Sequence, residues 1–203
     1  MHQYQILERG QPLHKAKKAI ILLHGRGATA QDIMSLADEF SDDSFYLAAP
    51  QATNHTWYPY GFMAAEANNE PWLSSAIDTV KKLIDDVAKE IGQENLYVMG
   101  FSQGACLTLE VTARYPGKYA GIASFTGGLI GEKVIASRYK GDFKETAVFI
   151  GNSDVDPHVP RSRSEDSARI FMDLNAKVNF KVYPGMPHTI NTDEIRIVKE
   201  IMF

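Results

Sequence analysis

The pentapeptide Gly100-Phe101-Ser102-Gln103-Gly104 constrains this chain more than any other stretch. It reads G-x-S-x-G. Before it, Asn95-Leu96-Tyr97-Val98-Met99 suits a buried strand; after it, Ala105 to Arg114 suits a helix ending near Pro116. Strand, tight turn and helix form the context in which such a serine is pushed out over a sheet edge. Glycine is needed at 100 and 104 because a side chain there would strike the neighbouring strand or helix. The helix starts at the serine, so its free N–H groups and dipole favour negative charge developing beside it. The motif by itself is a weak signal. The rest of the chain has to supply a base, an acid and an oxyanion hole.

Length and charge narrow the setting. The 203 residues suffice for one domain, spanning 1–203, with a substantial core. A net charge of −4 with no basic stripe argues against a nucleic-acid partner. The single cysteine, Cys106, cannot form an internal disulfide, and no Cys/His cluster suggests zinc. No basic leader followed by an apolar segment opens the chain, and no apolar run reaches the roughly 18 residues of a membrane span. The expected location is the cytoplasm.

Tyr4 to Glu8 reads as a short strand, and Ala19-Ile20-Ile21-Leu22-Leu23 as a strand covered on both faces. The latter ends in His24-Gly25-Arg26-Gly27, whose flexible backbone can aim N–H groups at a ligand. The N–H groups of Arg26 and Gln103 are the candidate oxyanion hole. His24 fits a hydrogen-bonding role that holds the loop, with a metal ligand or base as the alternative. Asp32 to Phe40 has helical spacing, and Phe45 to Ala49 is a strand stopped by Pro50. The long stretch 51–70 carries Trp57, Tyr58, Tyr60, Phe62 and Met63, too many aromatics for a disordered segment. It reads as a wall of a substrate site; a lid without ligand contact and a homodimer contact are the alternatives.

A long amphipathic helix follows Glu70-Pro71, with Ile77, Val80, Ile84, Val87 and Ile91 on one stripe and Gly92 at its end. After the elbow, strands are expected over 119–125, 146–150 and 179–183. Helices are expected over 164–174, with Ala168, Phe171, Met172 and Asn175 near one side, and over 192–201. Alternating strands and helices give an α/β class: a mostly parallel central sheet with helices on both faces. In such sheets ligands bind beyond the carboxyl ends of the strands, where all the loops singled out above lie.

A serine hydroxyl is a poor nucleophile at neutral pH. It needs a base, and the base needs a carboxylate to fix its tautomer. His188, in the Gly/Pro-rich loop after the last strand, is the natural base; His158 is its competitor and fits better at the mouth of the site. The acid is Asp154 or Asp156, both following the preceding strand. Pro157 restricts Asp156 to an extended backbone, which would hold its carboxylate in one direction. Asp154, Asp156 and His158 could also be read as a metal cluster, but alternation on a short loop is a weak pattern.

Leu23-His24-Gly25-Arg26-Gly27-Ala28, Trp57-Tyr58, Phe62-Met63, Glu70-Pro71-Trp72-Leu73-Ser74-Ser75-Ala76, Gly100 to Ala105, Asp156-Pro157-His158-Val159-Pro160 and Gly185-Met186-Pro187-His188 occur together and in order. From about residue 17 to 203 the chain resembles the phospholipase/carboxylesterase family of α/β-hydrolases, which includes the acyl-protein thioesterases. The resemblance implies the α/β-hydrolase fold, Ser102 as nucleophile, His188 as base, Asp156 as acid, and the Arg26 and Gln103 amides as oxyanion hole. The thioesterase branch usually has an apolar residue followed by Gly-Asp after His-Gly, where Arg26-Gly27-Ala28 stands here. That branch usually opens the acid loop with His-Gly, where this chain has Gly151-Asn152-Ser153. The smaller bacterial carboxylesterases are the nearer likeness. The expected activity is hydrolysis of a small-molecule ester without metal or organic cofactor, with a thioesterase or lysophospholipase using the same triad as the alternative. A non-catalytic ligand-binding member of the fold is the distant one. Trp57, Tyr58, Phe62, Leu129, His158 and Met186 are expected to contact substrate.

Overall fold

A computed structural model describes residues 1–203. One seven-stranded sheet takes strands from the whole chain: β1 (Ile6–Gly10), β2 (Lys18–Leu23), β3 (Phe45–Pro50), β4 (Leu96–Phe101), β5 (Gly121–Phe125), β6 (Ala147–Ser153) and β7 (Lys177–Tyr183). Their spatial order is β1-β3-β2-β4-β5-β6-β7. Only β1 is antiparallel.

The continuous apolar run of β2 shows why the sheet is covered on both faces. Ala19, Ile21 and Leu23 point into one buried cluster, and Ile20 and Leu22 into another. The first cluster lies under α3 (Trp72–Ile91), α4 (Gln103–Arg114) and α5 (Arg161–Asp173). The second lies under α1 (Ala30–Met34) and α6 (Thr192–Met202). Helix α3 buries Ile77, Val80, Ile84 and Val87, as its spacing predicts, and gives way at Gly92 (φ +83°). A one-turn helix, α2 (Glu66–Asn69), closes the aromatic stretch. No helix is long and apolar enough to cross a membrane.

Two elements depart from the expected outline. The segment expected as one helix over 32–40 is a single α-helical turn capped by Thr29 and Asp32, continued as a 3-10 helix over Ser35–Glu39. In α5 the inward side includes Arg163, Ser164 and Ser167 beside Ala168 and Phe171, while Met172 is 49% exposed and Asn175 is also outside. Hydrogen bonds explain the polar choice. Ser167 accepts from the Leu129 amide, Ser164 donates to the Gly127 carbonyl, and Arg163 donates to the Leu129, Gly131 and Glu132 carbonyls. This helix therefore fastens the loop after β5 rather than only filling the core.

Candidate active site

Ser102 stands between β4 and α4 with φ 55° and ψ −118°, a region that L-residues avoid. The surrounding close approach holds it there. A Cβ on Gly104 would lie 2.1 Å from the Leu23 carbonyl oxygen, and one on Gly100 would lie 2.4 Å from that of Gly104. The Ser102 amide donates to the Phe125 carbonyl (3.0 Å), tying the turn to β5. The first helical bond of α4 runs from the Cys106 amide to the Ser102 carbonyl (3.0 Å), so the Gln103 amide has no acceptor within the helix.

The loops after β6 and β7 bring the other two groups to this serine. His188 Nε2 lies 2.8 Å from Ser102 Oγ, and His188 Nδ1 lies 2.6 Å from Asp156 Oδ2. With Nδ1 protonated, the imidazole donates to the carboxylate and accepts from the hydroxyl. The Asp156 side chain is fully covered, and its Oδ1 accepts from the amides of His158 and Val159, each at 2.8 Å. Burial works to raise the Asp156 carboxyl, but the His188 bond and those two amides outweigh it and hold it below its ordinary value. It is thus ionised at neutral pH.

Asn152 shapes the acid loop by donating to the Val159 carbonyl (3.0 Å) and Ser164 Oγ (2.9 Å). Asp154 serves a different purpose: its Oδ1 accepts from the Gly185 amide (2.7 Å), joining the acid loop to the histidine loop. Asp154, Asp156 and His158 do not converge as metal ligands. The histidine loop is anchored at its far end by Asn191 and Glu194, which cap α6 reciprocally. His158 packs edge-on against His188, with ring centroids 4.8 Å apart.

The Arg26 amide donates to no backbone carbonyl. Gly25 packs against the elbow, since a Cβ on it would lie 3.5 Å from that of Ser102. This sets Arg26 beside the serine. His24 is fully buried; its Nδ1 lies 2.7 Å from the Gly25 carbonyl, and its Nε2 accepts from the Ala52 amide (3.1 Å). Burial lowers its pKa. It holds the loop and meets no substrate space.

A cavity of about 390 Å³ opens over the serine. Tyr58, Phe62, His158, Arg26 and Gln103 line it together with Ser102 and His188, and so do Gly61, Cys106 and Val159, which sequence reasoning did not single out. Cys106 lies one helical turn after Ser102, a spacing that could have marked it. Burial pushes its thiol up to about 12 and raises the Tyr58 phenol well above its ordinary value, so both groups are uncharged. Trp57, Leu129 and Met186 lie outside the cavity, contrary to expectation. Trp57 is fully buried because its indole N–H donates to the His24 carbonyl (2.9 Å). Leu129 is drawn against α5 by Arg163 and Ser167, and Met186 Sδ accepts from the Asn191 amide group.

The side chains of both candidate oxyanion residues grip the aromatic stretch. Arg26 donates to the carbonyls of Tyr58 (2.9 Å), Pro59 (2.9 Å) and Tyr60 (2.6 Å). Gln103 accepts from the Trp57 amide (3.0 Å) and donates to the Tyr58 carbonyl (2.9 Å).

This elbow over a mostly parallel sheet defines the class: the protein is a serine hydrolase of the α/β-hydrolase esterases. The chain belongs to the phospholipase/carboxylesterase family, whose model matches residues 7–202. It is similar to a phospholipase/carboxylesterase of Dyadobacter fermentans, whose crystal structure superposes with a TM-score of 0.96 at 50% identity, covering 99% of this chain and 97% of that one. It is 27% identical to acyl-protein thioesterase 1 of Saccharomyces cerevisiae, over 96% of this chain and 94% of that protein. A probable carboxylesterase of Arabidopsis thaliana, SOBER1-like, is 29% identical over 67% of this chain; the match spans about half, 52%, of that protein.

Proposed function

We propose that this protein hydrolyses small or medium carboxylic esters by two-step acyl transfer. The observation that carries the reading is the unbroken hydrogen-bonded series from Ser102 Oγ through His188 to Asp156 at the floor of an open cavity. His188 Nε2 takes the Ser102 proton as the oxygen attacks the ester carbonyl. The amides of Arg26 and Gln103 receive the oxyanion of the tetrahedral intermediate. His188 then gives its proton to the leaving alcohol. In the second half it takes a proton from water, which attacks the acyl-enzyme, and returns a proton to Ser102 as the acid departs. Asp156 stays ionised throughout and stabilises the imidazolium.

A cavity of about 390 Å³ is at the small end of the usual range for ligand sites, which favours short acyl groups over long lipid chains. The test is hydrolysis of p-nitrophenyl acetate, butyrate, octanoate and palmitate by wild type and Ser102→Ala. Turnover of the short esters, abolished in the variant, supports the reading. An inert wild type, or an equally active variant, overturns it.

A further inference from the structure

The cavity carries one fixed cation in a chain of net charge −4: Arg26 is in its lining, and no aspartate or glutamate is. Arg26 takes part in none of the protein's ion pairs. Its only side-chain partners are the three loop carbonyls of Tyr58, Pro59 and Tyr60. Those bonds occupy one N–H of Nη1 and both of Nη2. A guanidinium has five such donors, so the Nε–H and the second Nη1–H remain free.

The carbonyls also remove the usual objection to an exposed arginine, its conformational freedom. They hold the guanidinium in one place, with its centre 6.0 Å from the centroid of the Tyr58 ring, so less entropy is lost when it binds a further partner. What is missing is a negative charge. A fixed cation lining the cavity, with no carboxylate beside it in that lining and two donors unspent, is complementary to an anion.

We propose that Arg26 recognises an anionic group on the substrate, so that the preferred substrates are esters bearing a carboxylate or a phosphate at the end left outside the nucleophile's reach. This rests on the esterase reading above. Arg26 then has two separable parts: its backbone amide faces the reacting carbonyl and its side chain selects the substrate's charge.

Two matched pairs of esters test it. One carries the charge on the acyl side, 4-nitrophenyl hemisuccinate against 4-nitrophenyl butyrate. The other carries it on the alcohol side, 4-acetoxybenzoate against its methyl ester. The readout is the ratio of kcat/KM within a pair. Wild type is expected to favour the charged member of at least one pair by about tenfold. Arg26→Gln should bring that ratio to about one, while Arg26→Lys, which keeps the charge, retains part of it. Any loss through the loop or the oxyanion hole is common to both members and cancels. A second measurement needs no variant: raising the salt should erode the charged member's advantage and leave the neutral ester's rate unchanged.

If the neutral esters are cleaved through Ser102 but the charged members gain nothing, or the ratio survives Arg26→Gln, the proposal is overturned while the esterase reading stands. If no ester is cleaved by wild type, the esterase reading itself falls and this proposal with it.

Discussion

The elbow and the aromatic stretch border the same cavity and are held by opposite means. At the elbow the cause is steric and local: Gly100 and Gly104 allow backbones to meet where a Cβ would not fit, and Ser102 turns between them at φ 55°. In the stretch 56–62 the cause is distant. Its backbone groups are satisfied by the side chains of Arg26 and Gln103, with Asn69 bonding the Tyr60 amide and the Gly61 carbonyl, and the Trp57 indole N–H donates to the His24 carbonyl. The lesson is one of rigidity. A serine held by packing cannot drift without the core moving, whereas a wall held by a few hydrogen bonds can be loosened one bond at a time.

The first way to break the contrast is at the elbow, where effects should be largest. Ser102→Ala is expected to lower kcat on a short p-nitrophenyl ester by about 10⁵–10⁶-fold without changing the unfolding midpoint, since the methyl group occupies the same pocket. A residual rate above that would mean another nucleophile. Asp156→Asn should follow at about 10⁴-fold. The amide can still accept the bonds from His158 and Val159, but it no longer favours the Nδ1–H tautomer or the imidazolium. A pH–rate profile of the variant that rises well above neutrality would support this cause; a uniform loss at every pH would point to a collapsed loop instead.

The same edge of the sheet also has one local weakness. Glu194 is fully buried beneath Gly151, with Oε2 accepting from the Asn191 amide and Oε1 unpartnered. Burial raises its pKa from 4.5 to about 7, against the pull of the Asn191 amide. The folded state therefore binds this proton more tightly than the unfolded one. Its contribution is fully present below pH 4.5 and is lost as pH rises through 7, a change of about 3 kcal/mol in all. Glu194→Gln does not titrate, and its amide oxygen can still accept from Asn191. Measured by urea unfolding, the variant should gain on wild type between pH 5 and pH 8. A difference independent of pH would mean that Glu194 is ionised in the fold.

Much of the geometry at the Ser102 edge of the sheet was legible in the sequence because its causes are local. The apolar runs of β2 and β4 and the G-x-S-x-G turn act within a few residues of Ser102, and the Asp-Pro step acts at Asp156; His188 was legible only from its place after the last strand. The cavity wall was only half legible. Tyr58, Phe62 and His158 line it, whereas Trp57, Leu129 and Met186 do not. Aromaticity in a loop says that something is buried, not what buries it. Trp57 turned inward because an indole N–H needs an acceptor and the His24 carbonyl was within reach. Nothing near Arg26 in sequence shows that its guanidinium would find three carbonyls more than thirty residues away, a contact made only when two loops meet over the sheet.

Gln103 is where the two regions join, and its variant should have a small effect but the most informative one. Its amide belongs to the elbow and its buried side chain belongs to the wall. Gln103→Ala keeps the backbone donor while leaving the buried Trp57 amide without its acceptor, at a cost of about 1–3 kcal/mol in stability. If the wall is held as described, kcat/KM should drop by about tenfold, mostly through KM, and limited proteolysis should cut within 56–62 where wild type resists. Tyr60→Ala is the control: that side chain is 60% exposed, only its backbone joins the network, and its loss should change kcat/KM by less than about twofold. A Gln103→Ala enzyme with normal KM and a protected loop would show that the wall is as rigid as the elbow. The distinction between a packed serine and a hydrogen-bonded wall would then have to be given up.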